Sequence, residues 1–263
     1  MMHPFRLLRA TTLEEARSAR AAEPESMYLS GGMTLVPSLK MHLLTPTMLV
    51  DLRGVEEMTG IALRDGVLRV GALTTWAVMQ NSFTVNEAIP ELARMAGRIA
   101  DRHVRNRGTI GGSIANNDPA ADYTSAVLAL GATLITDRRR ILADEYFSGL
   151  FQTALEGDEI LVALEFQVPD AAAYAKFAHP ASGYAVAGVF IARFGDDWRV
   201  TVTGSGEGGV FRLPVIEAAL GAGQRSTDSI DLSTAPIMDD AAFPTDFRRN
   251  MILKLCRDAL ARL

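Results

Sequence analysis

Two pairs of glycines, each set between hydroxyl side chains, constrain this chain more than any other feature. They are Ser30-Gly31-Gly32-Met33-Thr34 and Thr109-Ile110-Gly111-Gly112-Ser113. A glycine pair without Cβ atoms lets backbone N–H groups turn into one concavity and approach an anion closely. Taken alone, the first pair reads more simply as a tight turn between strand and helix. The second lies in HVRNRGTIGGSIANNDPAADY, a polar run that fits neither a buried strand nor a surface helix. Asn116, Asn117 and Asp122 follow within reach of the same pocket. Asp118 is a candidate helix cap with Pro119 at the first helical position. Asp122 would fall in that helix's first turn, where a carboxylate suits the dipole whatever it binds. Together the two turns could clamp a diphosphate.

The rest of the chain is a mixture of both element types. Thr12 heads a helix through LEEARSARAA, and SMYLSGG reads as a strand entering the first turn. TMLVDLRG and GVLRVG are strand-like. AIPELARMAGRIADRHV has helical spacing, with Leu92, Met95, Ile99 and Val104 on one face. DPAADYTSAVLALGA predicts a helix closing at Gly131. ATLITD, EILVALEFQVP and AYAKFA are strand candidates, and GYAVAGVFIARF pairs with WRVTVTGSG across a GDD turn. PVIEAALGAG predicts a helix with a glycine stop. The C-terminal TDFRRNMILKLCRDALARL is an amphipathic helix with Phe247, Met251, Leu255 and Ala259 on one stripe. Helices and strands do not alternate regularly enough for a doubly wound parallel sheet. The 263 residues allow one long domain or two, and Pro169 to Ala173 is the candidate separator.

Several functions are disfavoured. A net charge of −5 gives no footprint for nucleic acid. Arg138, Arg139 and Arg140 read as a solvated turn between strands. Cys256 is the one cysteine, which rules out an intrachain disulfide, a C-x-x-C zinc site and a cysteine-ligated iron–sulfur cluster within this chain. His3, His42, His103 and His179 are scattered, so no metal site is expected. Gly204, Gly206 and Gly209 match G-x-G-x-x-G, with Asp228 near the required acid spacing. The segment before Asp228 is too polar for a buried parallel strand, so these glycines read as a hairpin end leading into a helix. The apolar run in MMHPFRLLRATTLEEA is too short for a signal peptide or a membrane span, and a cytoplasmic location is expected.

LSGGMTLVPSLK and RNRGTIGGSIANNDPAADY resemble the two FAD-binding loops of the flavoprotein (medium) subunits of molybdenum hydroxylases. That family includes the carbon monoxide dehydrogenase medium subunit and the FAD domain of xanthine dehydrogenase. Its pattern is approximately A-G-G-x-S-L-x-P in the first loop and R-N-x-x-T-I-G-G-N-x-x-x-x-D-P-x-x-D in the second. The likeness extends over nearly the whole chain. DEILVALEFQVP resembles the strand that closes the FAD domain, and VTGSGEGGVFRLPVIEAALGAG resembles the small C-terminal domain. Three departures stand out: Ser113 replaces the usual asparagine, Ser30 and Met33 flank the first glycine pair, and HPASGYAV follows Lys176 where relatives carry arginines and an aspartate.

The resemblance implies an α+β fold. A two-part FAD-binding domain of the vanillyl-alcohol-oxidase (PCMH) type would span 1–168, divided roughly into 1–54 and 55–168. A small α+β domain would follow at 174–263. Leu29, Ser30, Gly31, Gly32, Met33 and Thr34 would surround the FAD diphosphate with Thr109, Ile110, Gly111, Gly112 and Ser113. Ala100 would lie beside the cofactor, Asn116 near the flavin side, and Asp122 would hydrogen-bond it. Leu161 would pack against FAD, and Lys176 would approach the isoalloxazine end. No residue is assigned an acid–base role. The implied protein is an electron-transfer subunit that passes electrons from partner-subunit iron–sulfur clusters to an external acceptor. Its partners would be a large molybdopterin-binding subunit and a small 2Fe–2S subunit, in a dimer of heterotrimers. A stand-alone FAD oxidoreductase and a nucleotide-binding module without redox activity are the alternatives.

Overall fold

The computed structural model describes residues 2–224, 226–227 and 229–263; Asp228 therefore lies outside the described residues. The chain opens with a parallel three-stranded sheet of β1 (Arg6–Arg9), β2 (Met27–Leu29) and β3 (Met48–Asp51), in the order β1-β3-β2. Parallel neighbours need crossovers, here α1 (Leu13–Ala22) and α2 (Leu35–Lys40). Thr12 caps α1 as expected, its hydroxyl accepting from Glu15 N.

A five-stranded antiparallel sheet follows, with β4 (Ile61–Arg64), β5 (Val67–Gly71), β6 (Thr133–Thr136), β7 (Arg140–Leu142) and, after the small hairpin β8 (Phe147–Gly149) and β9 (Gln152–Thr153), β10 (Leu161–Gln167). Its order is β4-β5-β10-β6-β7. Between β5 and β6 runs a helical layer: α3 (Trp76–Asn81), α4 (Phe83–Ala88), α5 (Pro90–Gly97), α6 (Arg102–Arg105), α7 (Ile110–Asn116) and α8 (Asp122–Ala129). A short α9 (Ala143–Tyr146) joins β7 to β8. The arginine turn between β6 and β7 is as expected, and Arg138 and Arg139 are tied into ion pairs with Asp158 and Glu159.

The last sheet is antiparallel, with β11 (Ala171–Ala178), β12 (Ala185–Phe194), β13 (Asp197–Thr203) and β14 (Phe211–Arg212) in sequence order. α10 (Pro214–Gly221) and α11 (Thr245–Leu260) cover one face. Strand alternation explains how this sheet serves two cores. Val189, Ile191, Val200 and Val202 pack with α10 and α11, whereas Phe190 and Ala192 join the main core. Thr201 and Thr203 project the other way and donate to the Ser125 and Ala121 carbonyls around α8. The G-x-G-x-x-G segment is the β13–β14 connection, in agreement with a structural role. The architecture is α+β, as the sequence implied.

Three local expectations need correction. The helix expected through 88–104 is broken: α5 ends at Gly97, and Ala100 takes a left-handed φ of 42° before α6. Asp101 then caps α6 through its Oδ1, which accepts from His103 N and Val104 N. Local capping there outcompetes continuation of the apolar stripe. Asp118 does not cap a helix that starts at Pro119. It forms a tight turn, accepting from Ala120 N at 2.9 Å, and α8 begins at Asp122. On α11 the buried side chains are Arg248, Ile252, Leu255, Cys256 and Ala259, while Phe247 is 37% exposed. Arg248 takes the inner position because its guanidinium meets the Val186 and Gly204 carbonyls.

Candidate functional site

The segment 108–111 lies antiparallel to residues 72–76, which follow β5. Trp76 N donates to Gly108 O, Ile110 N to Thr74 O, and Gly111 N to Ala72 O at 2.9 Å. This strapping fixes the second glycine turn against the five-stranded sheet. It also explains Gly111: a Cβ there would collide with Ala72, so glycine is required by helix–strand approach. Thr109 then caps α7, its Oγ1 accepting from Gly112 N at 3.1 Å.

The first turn comes to the second from the other sheet. β2 delivers Ser30 to Thr34 at its C-terminal end, and Gly32 adopts φ +74°. A Cβ on Gly31 would run into the Arg107 carbonyl, so the turns touch backbone to backbone. Thr109 Oγ1 donates to Ser30 Oγ at 3.2 Å. A Cβ on Gly112 would sit 2.7 Å from Ser30 Oγ. No described residue accepts from the backbone N–H of Gly31, Gly32, Met33 or Thr34. A diphosphate needs such donors on a bare backbone, and the donor set here fits it.

A cavity of about 600 Å³ opens over these turns. It is lined by Leu29 to Thr34 and by Thr109, Gly111, Gly112, Ser113 and Asn116. Ala100, Asp122 and Leu161 also reach it. Leu161 and Leu52 join Trp76 and Ile99 as apolar walls, suited to a flat ring system. Two expected residues are not on the wall. Ile110 is fully buried in the main core, because it is the first residue of α7 and faces the sheet. The Lys176 ammonium is turned aside, donating to Asp122 Oδ2 at 2.8 Å and to Gly183 O at 3.1 Å.

Asp122 was expected to hydrogen-bond the cofactor. In the structure each of its oxygens already holds a donor, since Tyr174 Oη donates to Oδ1. Tyr174 and Lys176 alternate onto the same face of β11, which is why both meet one carboxylate. Gly188, opposite Lys176, leaves room for the tyrosine ring: a Cβ there would collide with Tyr174 Oη. Burial above all, with the Asp122 charge, pushes the Tyr174 hydroxyl well above its ordinary range. It remains a proton donor at neutral pH.

Other wall residues were missed from the sequence. Trp76 follows Thr75, the cap of α3, and stands at the floor against Tyr123, with ring centroids 4.5 Å apart. Ser182, Gly183 and Tyr184 form the turn between β11 and β12 and close one side. The turn-forming HPASGY was the only signal for them. Burial, followed by the charges of Asp118 and Asp122, raises the Tyr184 hydroxyl. Tyr28 is pushed up to about 12 by burial and by Asp137 and Asp158; its hydroxyl donates to Asp158 O. Among the described residues there is no cluster of three or more potential metal ligands.

Comparison with known proteins agrees with this geometry. A family profile described as the FAD binding domain in molybdopterin dehydrogenase matches residues 3–170. The nicotine 6-hydroxylase medium subunit of Paenarthrobacter nicotinovorans is 27% identical over 94% of this chain and 92% of its own length. The glyceraldehyde dehydrogenase medium chain of Sulfolobus acidocaldarius is 32% identical over 73% of this chain and 71% of its own. Among solved structures, a carbon monoxide dehydrogenase from Hydrogenophaga pseudoflava superposes with a TM-score of 0.86 at 26% identity, covering 99% of this chain and 97% of that one. With two glycine turns joined beneath one cavity, and with these relatives, the chain belongs to the family of FAD-binding domains of molybdopterin dehydrogenases.

Proposed function

We propose that this chain is the FAD-binding electron-transfer subunit of a heterotrimeric molybdenum hydroxylase, working in the cytoplasm. The observation that carries the reading is the meeting of the two glycine turns, with four backbone N–H groups at the cavity from which no described residue accepts. Leu29 to Thr34 and Thr109 to Ser113 hold the FAD diphosphate, with Ile110 acting from the core as the anchor of its turn. Ala100, Asn116 and Leu161 flank the rest of the cofactor, and Asp122 and Lys176 stand at its end. When bound, FAD supplies a carrier that accepts two electrons and can release them singly. This chain's residues bind it, orient it and exclude water.

The division of labour is the one the family resemblance implies: clusters on a small partner subunit supply the electrons, and the one buried cysteine of this chain, which cannot hold such clusters, supports that reading. A large partner carrying the molybdenum cofactor performs the oxidation, and the assembly is a dimer of heterotrimers. The relatives' names support this, since they are medium subunits or chains of hydroxylases and dehydrogenases. We also read the chain as two parts, 1–168 (itself 1–54 and 55–168) and 174–263. The end of the family match at 170 and the start of β11 at Ala171 support that boundary.

Purification of the native complex tests the proposal. Flavin, iron–sulfur and molybdenum signals that co-elute with this chain are expected. A yellow monomer that turns over substrate unaided would make it a stand-alone oxidoreductase. Protein that neither carries nor takes up FAD would make it a nucleotide-binding module.

A further inference from the structure

The family resemblance implies that Lys176 approaches the flavin, but the structure assigns its ammonium to two protein oxygens instead. The Lys176 side chain is only 6% exposed, and its Nζ bridges Asp122 Oδ2, on α8, and Gly183 O, in the β11–β12 turn. That turn is a cavity wall. Its local bonds run from His179 N to Tyr184 O and from Gly183 N to His179 O, both at 2.8 Å, and the His179 ring at its start packs edge-on against Phe243. It is tied to the rest of the site through Ala185 N, which donates to Ala120 O at 3.3 Å. Gly183 is left-handed, with φ +74°, and nothing lies within 4 Å of its Cβ position, so no side chain packs against the turn at that point.

We infer that Lys176 is a positioning residue that latches the Ser182–Tyr184 turn to Asp122, and so sets how tightly the cavity retains its flavin. The inference rests on the FAD reading above. A charge-assisted hydrogen bond in a nearly dry site is among the stronger single links available to a turn. Its second arm runs to a backbone carbonyl, which transmits position to Tyr184, the next residue. Tyr174 supports the arrangement by fixing the other oxygen of Asp122. Lysine suits the task because one ammonium offers three donors on a flexible stem; methionine keeps the stem and removes the donors.

Lys176→Met and Lys176→Arg in the full chain, with and without FAD, provide the test. Amide hydrogen exchange is followed in the peptide covering 179–185, and FAD release by its fluorescence after dilution. In Lys176→Met, exchange of 179–185 rises at least about tenfold in both states, as expected for a lost charged hydrogen bond. FAD release quickens by a similar factor, the visible flavin spectrum stays as in the wild type, and Val189 to Ala192 keep their protection. Lys176→Arg restores slow exchange and slow release at least in part. Wild-type exchange of 179–185 in Lys176→Met, or a shifted flavin spectrum, overturns the latch; the shift would make Lys176 a flavin contact. If the wild type takes up no FAD, the cofactor reading fails, while exchange in the FAD-free protein still decides the latch.

Discussion

The hydroxyl oxygens of Thr109 and Ser30 lie 3.2 Å apart although the residues are separated by 79 positions. Thr109 also accepts from Gly112 N, so one side chain both caps α7 and joins the two turns. Thr109→Val keeps the shape and removes both bonds. It is expected to cost about 1 kcal/mol of stability and to weaken FAD retention, read by urea denaturation and by fluorescence titration with FAD.

The two glycines of the second turn are expected to fail differently. A side chain at Gly111 meets Ala72 of the sheet connection, so Gly111→Val destabilises the fold by about 3 kcal/mol and loses FAD with it. A Cβ at Gly112 meets first the Ser30 and Thr109 hydroxyls rather than backbone. Gly112→Val should therefore leave a folded protein, by circular dichroism, that retains no FAD. Normal flavin occupancy in that variant would remove the turn from the site.

Ala100 holds a left-handed φ of 42° on the cavity wall, and Arg105 clamps it by donating to the Ile99 and Ala100 carbonyls. Glycine relieves the steric cost of that backbone. Ala100→Gly is expected to stabilise the protein by about 0.5–1 kcal/mol, after the entropy lost to glycine is subtracted. The midpoint of urea unfolding, at unchanged slope, checks it.

Acid sensitivity should centre on Glu159. The Arg139 guanidinium, then Glu156 N and Thr136, hold its carboxyl down at about 2 against the opposing effect of burial. A carboxyl lowered on folding stabilises above its unfolded value, near 4.5, and that contribution is lost as pH falls toward 2. The loss is on the order of 2 kcal/mol between those limits. Glu159→Gln should be less stable at pH 7 and show a flatter stability profile below pH 4.5.

Cys256 should be chemically silent in the native state. Its thiol is fully buried and pushed up to about 12 by desolvation. Little thiolate is present at pH 8, and reagent has no access. A thiol-reactive chromogen is expected to label none of the folded chain and one equivalent after guanidinium denaturation.

Short-range signals in this chain were strong where one residue type has one physical use. Thr12 before two glutamates, the Gly195-Asp196-Asp197 turn between β12 and β13, and the close of α8 at Gly131, whose φ is 56°, were legible from local chemistry alone. Local signals misled where two of them competed. The apolar spacing through Leu92, Met95 and Ile99 argued for one helix, but Asp101 and Arg105 together stop and restart it at Ala100. Asp118 and Pro119 imitate a helix start, yet the side chain closes a turn instead.

The sequence by itself determined that two hydroxyl-flanked glycine pairs exist and that the chain cannot carry its own iron–sulfur centre. Those are properties of residue type and count. That the second pair forms the first turn of α7 rather than a loop was decided by the Thr109 cap and the Ala72 contact. The tertiary structure alone decided that Gly31 rests on Arg107, that Ile110 faces the core rather than the cavity, and that Lys176 is spent on Asp122 and Gly183. Each of these depends on contacts between distant segments. A charged side chain goes to the nearest oxygens that compensate its lost water, and their positions are fixed only when the sheets have packed.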